Sequence, residues 1–424
     1  MTIRRDRRCF FIPGLRASLA ALLILSLNAA PVKARGEEIG LRQALDLFLR
    51  NNYDILIHRY EIDKAYSDYL AARLWPNPTL SANAQGLDYP KGGLKRADET
   101  QVTLRLDQLI ELGGKRSYRT NALQAAHEAA RLSHLETIRG LLAGFFTLFY
   151  NLQLDRLNVA FAREELDRFD RILDIAGRRY DAGFLSLLDY AKIKLARIDL
   201  ENNLINFQTQ LGKDLENFNF LLGSPGGLEP SPMALREEFP AYPEESLVQT
   251  ALEKRYDLKA MEKQKEAARH NMQLAKALRV PDLTVGAQHD SYGPDGTSRI
   301  GGGISVGLPL FNRAQGPIAR ANAEYRQAEE QIHRVRRLIV ADVRQGLLTY
   351  RNSLALFGSF RARKTDMEDL LEKSEKAFSL GGITVLDLLD TRKTYRDFMA
   401  KYNQNLIQAL LNEELLKVYT GEVQ

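Results

Sequence analysis

The chain is almost without cysteine: Cys9 is the only one among 424 residues. Beyond that position, disulfide scaffolds, thiol nucleophiles and cysteine-ligated metal sites are excluded. Long hydrophobic runs are missing too. The apolar stretches Ala17–Ala30 and Gly140–Leu152 both fall short of the ~20 residues that a membrane-spanning helix requires. The first of them follows Arg4, Arg5, Arg7 and Arg8 and precedes Val32-Lys33-Ala34. A charged start, a short apolar middle and a small-residue end predict a secretory signal over residues 1–34. Cleavage is expected after Ala34, with the Asn28–Ala30 region as the second choice. Cys9 precedes the apolar run, so it is not placed where a lipoprotein is acylated.

Charge of one sign is lacking once that segment is set aside. It holds six basic residues and one acid, which is the whole excess of 59 basic over 54 acidic residues. The remainder is formally neutral, so a nucleic-acid partner loses its electrostatic support. No constellation of convergent polar groups suggests an enzyme or a cofactor site.

Proline is absent from Lys91 to Ser224 and again after Pro317, which leaves both stretches free to be long helices. A helix from roughly Gly114 to Ala176 would extend about 95 Å. Tyr325, Ala328, Ile332, Val335, Ile339 and Val343 step by three and four, a coiled-coil-like seam that by itself means packing.

What is present is present twice. Tyr53-Asp54 matches Tyr256-Asp257, Pro78 matches Pro281, and Ala84-Gln85 matches Ala287-Gln288. Likewise "RRYDAGFLSLLDY" (178–190) echoes "KAFSLGGITVLDLLD" (376–390): Gly183 with Gly381, Ser186 with Thr384, Leu188-Asp189 with Leu386-Asp387. The expected organisation is a first repeat over 35–222, a Pro/Gly/Glu-rich linker over 223–245, and a second repeat over 246–424. Each repeat reads helix, proline break, two strands, long helix, glycine turn, long helix.

The strands are expected at about 79–89 and 100–110, then 282–292 and 298–310. Leu80, Ala82 and Ala84 alternate with Thr79, Ser81, Asn83 and Gln85. Val102, Leu104 and Leu106 alternate with Gln101, Thr103, Arg105 and Asp107. In the second half Leu283, Val285, Ala287, Ile300, Ile304, Val306 and Leu308 share a face, opposite Gly301, Gly303, Ser305 and Gly307. Such strands suit a membrane β-barrel and equally a soluble half-buried sheet. Four strands cannot close a barrel, and lipid tolerates no open edge. Strands embedded in a membrane would therefore have to be shared among several chains.

The duplicated order, "ALDLFLRNNYDI" near the mature start and the two Gly-x-x-Ser/Thr turns resemble the TolC-type outer-membrane efflux proteins over nearly the whole mature chain. "LDQLIELGGKR" (106–116) is similar to their heavy-metal, CzcC-like branch. The resemblance implies a mainly α chain with membrane β. It implies a homotrimer whose shared twelve-stranded barrel continues as a long periplasmic α-helical barrel. It further implies no catalysis and no cofactor. The function implied is that of an exit duct for a tripartite pump, coupled to a periplasmic adaptor and an inner-membrane RND transporter, with metal cations as one class of cargo. The competing reading is an exported helical scaffold or adaptor-like protein without a barrel.

In each turn the glycine suits a left-handed helix end. Ser186 or Thr384 can cap the following helix, with Asp189 or Asp387 near its positive end. The resemblance places both turns at the periplasmic tip, so Gly183, Ser186, Leu188, Asp189, Gly381, Thr384 and Leu386 become candidates for adaptor docking. It maps Asp387 and Asp390, one helical turn apart, onto the acidic constriction of the tunnel. The plainer reading is two exposed acids in a first turn. Lys192 stands where the first copy would need its second acid, and Ile383 where a gate-latching arginine is expected.

Other patterns carry less. "LIELGGKRS" departs from a phosphate loop at Leu109 and Arg116. The glycines 301–303 precede no helix start and suit a tight wall. His127 and His134 lie on one helical face without a third ligand nearby. Trp75 fits either a membrane interface or a packed helix end.

Overall fold

The computed structural model describes residues 37–88, 95–292 and 296–422; the expected signal segment and its cleavage position at Ala34 lie outside them. A short strand β1 (Glu37–Ile39) leads into α1 (Leu41–Asn51) and α2 (Tyr53–Arg73). Strands β2 (Thr79–Asp88) and β3 (Lys95–Ile110) follow, then α3 (Lys115–Asp181) and α4 (Leu187–Leu221). After β4 (Leu228–Pro230) the order recurs: α5 (Glu244–Lys254), α6 (Tyr256–Ala277), β5 (Leu283–Tyr292), β6 (Ser298–Val306), α7 (Gln315–Arg361), α8 (Lys364–Leu380) and α9 (Val385–Thr420).

α3 contains 67 residues and is about 100 Å long, starting after Gly113 and Gly114, both at positive φ. Its counterpart in the second half is broken between Arg361 and Lys364, which the repeat pattern does not anticipate. Neither proline nor glycine stands there. Arg361 instead turns toward Glu237, bonding its carbonyl at 3.1 Å and its carboxylate at 2.9 Å. β6 is shorter than the expected span, ending at Val306, and β3 is longer, starting at Lys95.

The stretch 223–245 does not hang free. β4 pairs in parallel with β1, and Met233, Leu235 and Phe239 pack on the largest core cluster. That cluster gathers Phe48 of α1, Phe145 and Phe149 of α3, Phe218 of α4, Phe357 of α7, and Leu406 and Leu410 of α9. Polar contacts hold the belt as well. Gln153 donates to the Ser231 carbonyl at 3.0 Å, Tyr402 Oη donates to Glu237 at 2.6 Å, and Arg236 pairs with the buried Glu413. The composition reads as a linker because Pro and Gly break helices; the apolar residues spaced between them are what pin it down.

All four long strands form one antiparallel sheet, ordered β2-β3-β5-β6. The two halves therefore meet through β3 and β5, with Leu104 opposite His289 and Leu106 opposite Ala287. One face carries Leu80, Leu104, Leu106, Ile300 and Ile304, and it is bare: Ile300 is 87 % exposed, Ile304 72 % and Leu80 71 %. A soluble half-buried sheet would cover such a face with helices. Here the apolar side is outward and the polar side is hydrogen-bonded, the inversion expected of a wall in lipid.

Candidate functional site

The polar face of the sheet is organised by charge. Arg105 Nε donates to both carboxylate oxygens of Asp107, at 2.9 and 2.8 Å, and its Nη1 donates to Gln288 Oε1 at 3.2 Å. Asp290 accepts from Thr103 at 2.6 Å, Gln288 at 3.0 Å and Gln101 at 3.1 Å. The bonds from Arg105 to Gln288 and from Thr103 and Gln101 to Asp290 cross from β3 to β5 and so tie one repeat to the other. Gly286 leaves room for the pair of Arg105 and Asp107: a Cβ there would come within 2.0 Å of Asp107 Oδ1, so the Asp107 and Arg105 side chains would have to shift. At the foot of the sheet Lys115 pairs with Asp282 at 2.7 Å and Arg119 with Glu111 at 2.6 Å, fixing where strand gives way to helix.

At the other end of the helices the two turns are built alike. Gly183 has φ 76° and Gly381 φ 81°, and each helix end closes with a bond from an amide to a carbonyl five residues back, Phe184 N to Arg179 O at 2.8 Å and Gly382 N to Ala377 O at 2.8 Å. Ser186 accepts from the Asp189 amide at 3.1 Å and Thr384 from the Asp387 amide at 3.2 Å. Asp387 also accepts from the Thr384 hydroxyl at 2.6 Å and amide at 3.1 Å, completing a reciprocal cap. Those bonds hold its carboxyl below the ordinary carboxylate range. Asp189 is held low likewise, by Ser186 first and then by Lys192, which sits 3.1 Å away. Asp390 is exposed and makes no such bond among the described residues. Asp387 is thus occupied by its own helix, whereas Asp390 is free.

The turns lie side by side. Arg179 Nη1 bonds the Phe378 carbonyl at 2.5 Å and the guanidinium sits 5.0 Å from the Phe378 ring. Phe169, Ile172, Ile193, Phe378, Val385 and Leu388 close a core between them. Outside it, Phe184, Leu187, Leu188, Leu380 and Leu386 are all exposed. Two hairpins therefore present one apolar, partly acidic end.

His127 and His134 are not brought together. His127 lies 5.4 Å from the Tyr66 ring, and His134 lies 5.7 Å from His58. Among the described residues no group of three potential ligands could hold a metal. Trp75 is 55 % exposed and lies under the Arg116 guanidinium. No helix among the described residues is long and apolar enough to cross a membrane.

Two sets of charged residues escape pattern reading. Arg392 is fully buried, 3.3 Å from Glu165 and also bonded to Glu375, tying α9 to α3 and α8. Asp155, 8 % exposed, faces Asp214 where α3 crosses α4. A signal for each exists. Leu388, Arg392 and Tyr395 continue the buried seam of α9, and Leu152, Asp155 and Val159 that of α3, so the charges occupy core positions of a three–four repeat.

The fold and its inverted sheet have clear counterparts. The crystal structures of CusC superpose with a TM-score of 0.78 at 15 % identity, over 92 % of this chain and 94 % of that one. VceC of Vibrio cholerae gives 0.74 at 17 % identity, over 90 % and 95 %. In sequence, the cobalt-zinc-cadmium resistance protein CzcC of Cupriavidus metallidurans is 26 % identical over 88 % of this chain and 87 % of its own length. The probable efflux pump outer membrane protein TtgC of Pseudomonas putida is 22 % identical over 90 % and 81 %. The model of the outer membrane efflux protein family matches residues 44–224 and 247–422, one stretch in each half. The chain belongs to the outer membrane efflux protein family and is an efflux channel of the outer membrane, a conduit and not an enzyme.

Proposed function

We propose that three copies of this chain build one duct, with a twelve-stranded barrel in the outer membrane and a helical tunnel in the periplasm. The observation that carries it is the open sheet: among the described residues it has four strands and an uncovered apolar face, and β2 and β6 each pair with a strand on one side only. Lipid allows no such edge, and joining β2 of one copy to β6 of the next removes it. Because Cys9 is the only cysteine, the test is clean. Cysteines introduced at Ser81 on β2 and Ser305 on β6 should oxidise to a covalent trimer. Within one chain β3 and β5 separate these strands, so a link can form only between chains. A product that stays monomeric under oxidation overturns the shared barrel.

The apolar tips are read as the docking end for a periplasmic adaptor, which would couple the duct to an inner-membrane RND transporter. Divalent metal cations are the cargo class best supported, through the likeness to CzcC. Gly183, Ser186, Leu188, Asp189, Gly381, Thr384 and Leu386 form this surface. Gly183→Asp and Gly381→Asp, each adding a side chain at positive φ, are expected to lower export while outer-membrane insertion stays normal. Full metal resistance in cells carrying both variants would remove the tips from docking.

Asp387 and Asp390 are read as the narrow periplasmic mouth, where threefold symmetry would give rings of like charge. The structure divides their work: Asp387 caps its helix and Asp390 is the free carboxylate. Replacing both by alanine should raise ion conductance through the closed duct in planar bilayers. Asp387→Ala also removes the reciprocal cap of its helix, while Asp390→Asn isolates the charge. Unchanged conductance in both removes the gate assignment.

A further inference from the structure

Where α2 ends and α3 begins, Arg73, Arg116, Ser117, Thr120 and Asn121 line a cavity of about 330 Å³. Every lining residue is polar, two are cationic and none is acidic. The other cations of this junction are neutralised, Lys115 by Asp282 and Arg119 by Glu111. Arg73 and Arg116 have no acidic partner among the described residues. Arg116 reaches only the Arg73 carbonyl, at 3.5 Å, and its guanidinium lies 4.1 Å from the centre of the Trp75 ring. Arg73 sits 5.6 Å from the Tyr69 ring. Aromatic faces thus orient both forks without discharging them. Thr120 spends its hydroxyl proton on the Ala72 carbonyl at 3.2 Å, leaving Ser117 and Asn121 as neutral donors.

Two uncompensated guanidinium forks with neutral donors beside them match the oxygens of a phosphate diester. The location says where that phosphate comes from. Leu74 and Trp75, which follow Arg73 directly, are exposed, and so are Leu310 and Phe311 at the other strand-to-helix passage. An exposed tryptophan beside bare aliphatic groups, at the foot of an outward-apolar sheet, marks the headgroup level of a bilayer. We propose that this cavity binds the phosphodiester headgroup of an anionic phospholipid, with its acyl chains lying along the exposed apolar belt. The proposal rests on the outer-membrane location of the channel.

The test is native mass spectrometry of the intact detergent-released channel, titrated with phosphatidylglycerol, with phosphatidylethanolamine, and with inorganic phosphate as competitor. Both lipids offer the phosphodiester, but phosphatidylethanolamine also brings an ammonium to a cavity with two guanidiniums and no acid. Phosphatidylglycerol should therefore bind the unaltered channel at least about tenfold more tightly, and phosphate should not displace it. Arg73→Gln with Arg116→Gln should erase that preference, and Asn121→Trp, which fills the cavity and keeps both arginines, should do the same. Equal binding of the two lipids to the unaltered channel overturns the proposal without need of any variant. Displacement by phosphate points to a free-anion site and overturns the lipid assignment, and retention of the preference in both variants overturns the cavity. Single-channel conductance of the same unaltered preparation reports on the conduit separately, so the two ideas fail independently.

Discussion

Arg392→Ala is expected to destabilise the channel by about 3–5 kcal/mol, the range for stripping one partner from a buried ion pair. Arg392 is fully buried, and Glu165 is nearly so. Burial already pushes the Glu165 carboxyl above its ordinary range, against the pull of Arg392 and Arg396. Removing the guanidinium leaves that carboxylate with too little to offset its lost hydration. The deficit should therefore shrink in acid, as Glu165 takes up a proton instead of staying charged. Thermal melts of the detergent-solubilised channel at several pH values measure this directly. The double change Arg392→Met, Glu165→Leu should recover most of the loss, since a packed apolar pair serves as well as a buried ion pair; Glu375 lies nearer solvent and can stay hydrated. A melting curve that Arg392→Ala leaves in place would show that the cluster is solvated in the assembled duct.

Why these charges are retained follows from where they sit. Around this cluster the seams of α3 and α9 are mainly apolar, with Phe169, Ile172, Leu388 and Tyr395 beside it, and an apolar seam by itself leaves slippage by one heptad open. A cation at Arg392 that must meet Glu165 on α3 and Glu375 on α8 allows one register only. The second turn, with Gly381, Thr384 and Asp387, is thereby held level with the first, and the apolar residues Leu188 and Leu386 share one end of the molecule.

The same geometry explains what could be read from the letters alone. Alternation in Gln101–Asp107 and in Leu283–Ala287 exposes a sheet with two unlike faces, because side chains in a strand alternate strictly. The left-handed glycines and their capping partners were legible because a helix reversal needs those residues at that spacing. Pairing of β3 with β5 was not legible, since neither strand encodes its neighbour; nor was the outward turn of the apolar face, which either reading of the sheet permitted. The break after Arg361 has no local cause, only a distant partner in Glu237. Residues 223–245 looked loose because composition hides the anchoring of Met233, Leu235 and Phe239. Of the candidate mouth, the shared face of Asp387 and Asp390 was visible, but the division between a capping and a free carboxylate needed coordinates.

Asp155→Asn is expected to make the channel more stable at neutral and alkaline pH, an unusual direction for a change at a buried polar position. Asp155 lies 8 % exposed beside Asp214, and its Oδ2 has no hydrogen-bond partner among the described residues. Burial, followed by the hydrogen bond and the repulsion of Asp214, raises its pKa from 3.8 to about 7. Asp214 accepts from Gln210 at 2.9 Å and Asn217 at 3.4 Å. A raised folded-state value means that the protonated form is favoured by folding. The stabilisation is complete below the unfolded value near 3.8 and is lost as pH climbs through about 7. Above that window the unaltered protein carries a penalty on the order of 2–4 kcal/mol, which asparagine, neutral throughout, does not incur. The difference in melting between Asp155→Asn and the unaltered channel should therefore widen from pH 4 to pH 8 and then level off. A difference that stays constant across this range would mean that Asp155 is ionised throughout, so that the contact of α3 with α4 carries two charges and no proton.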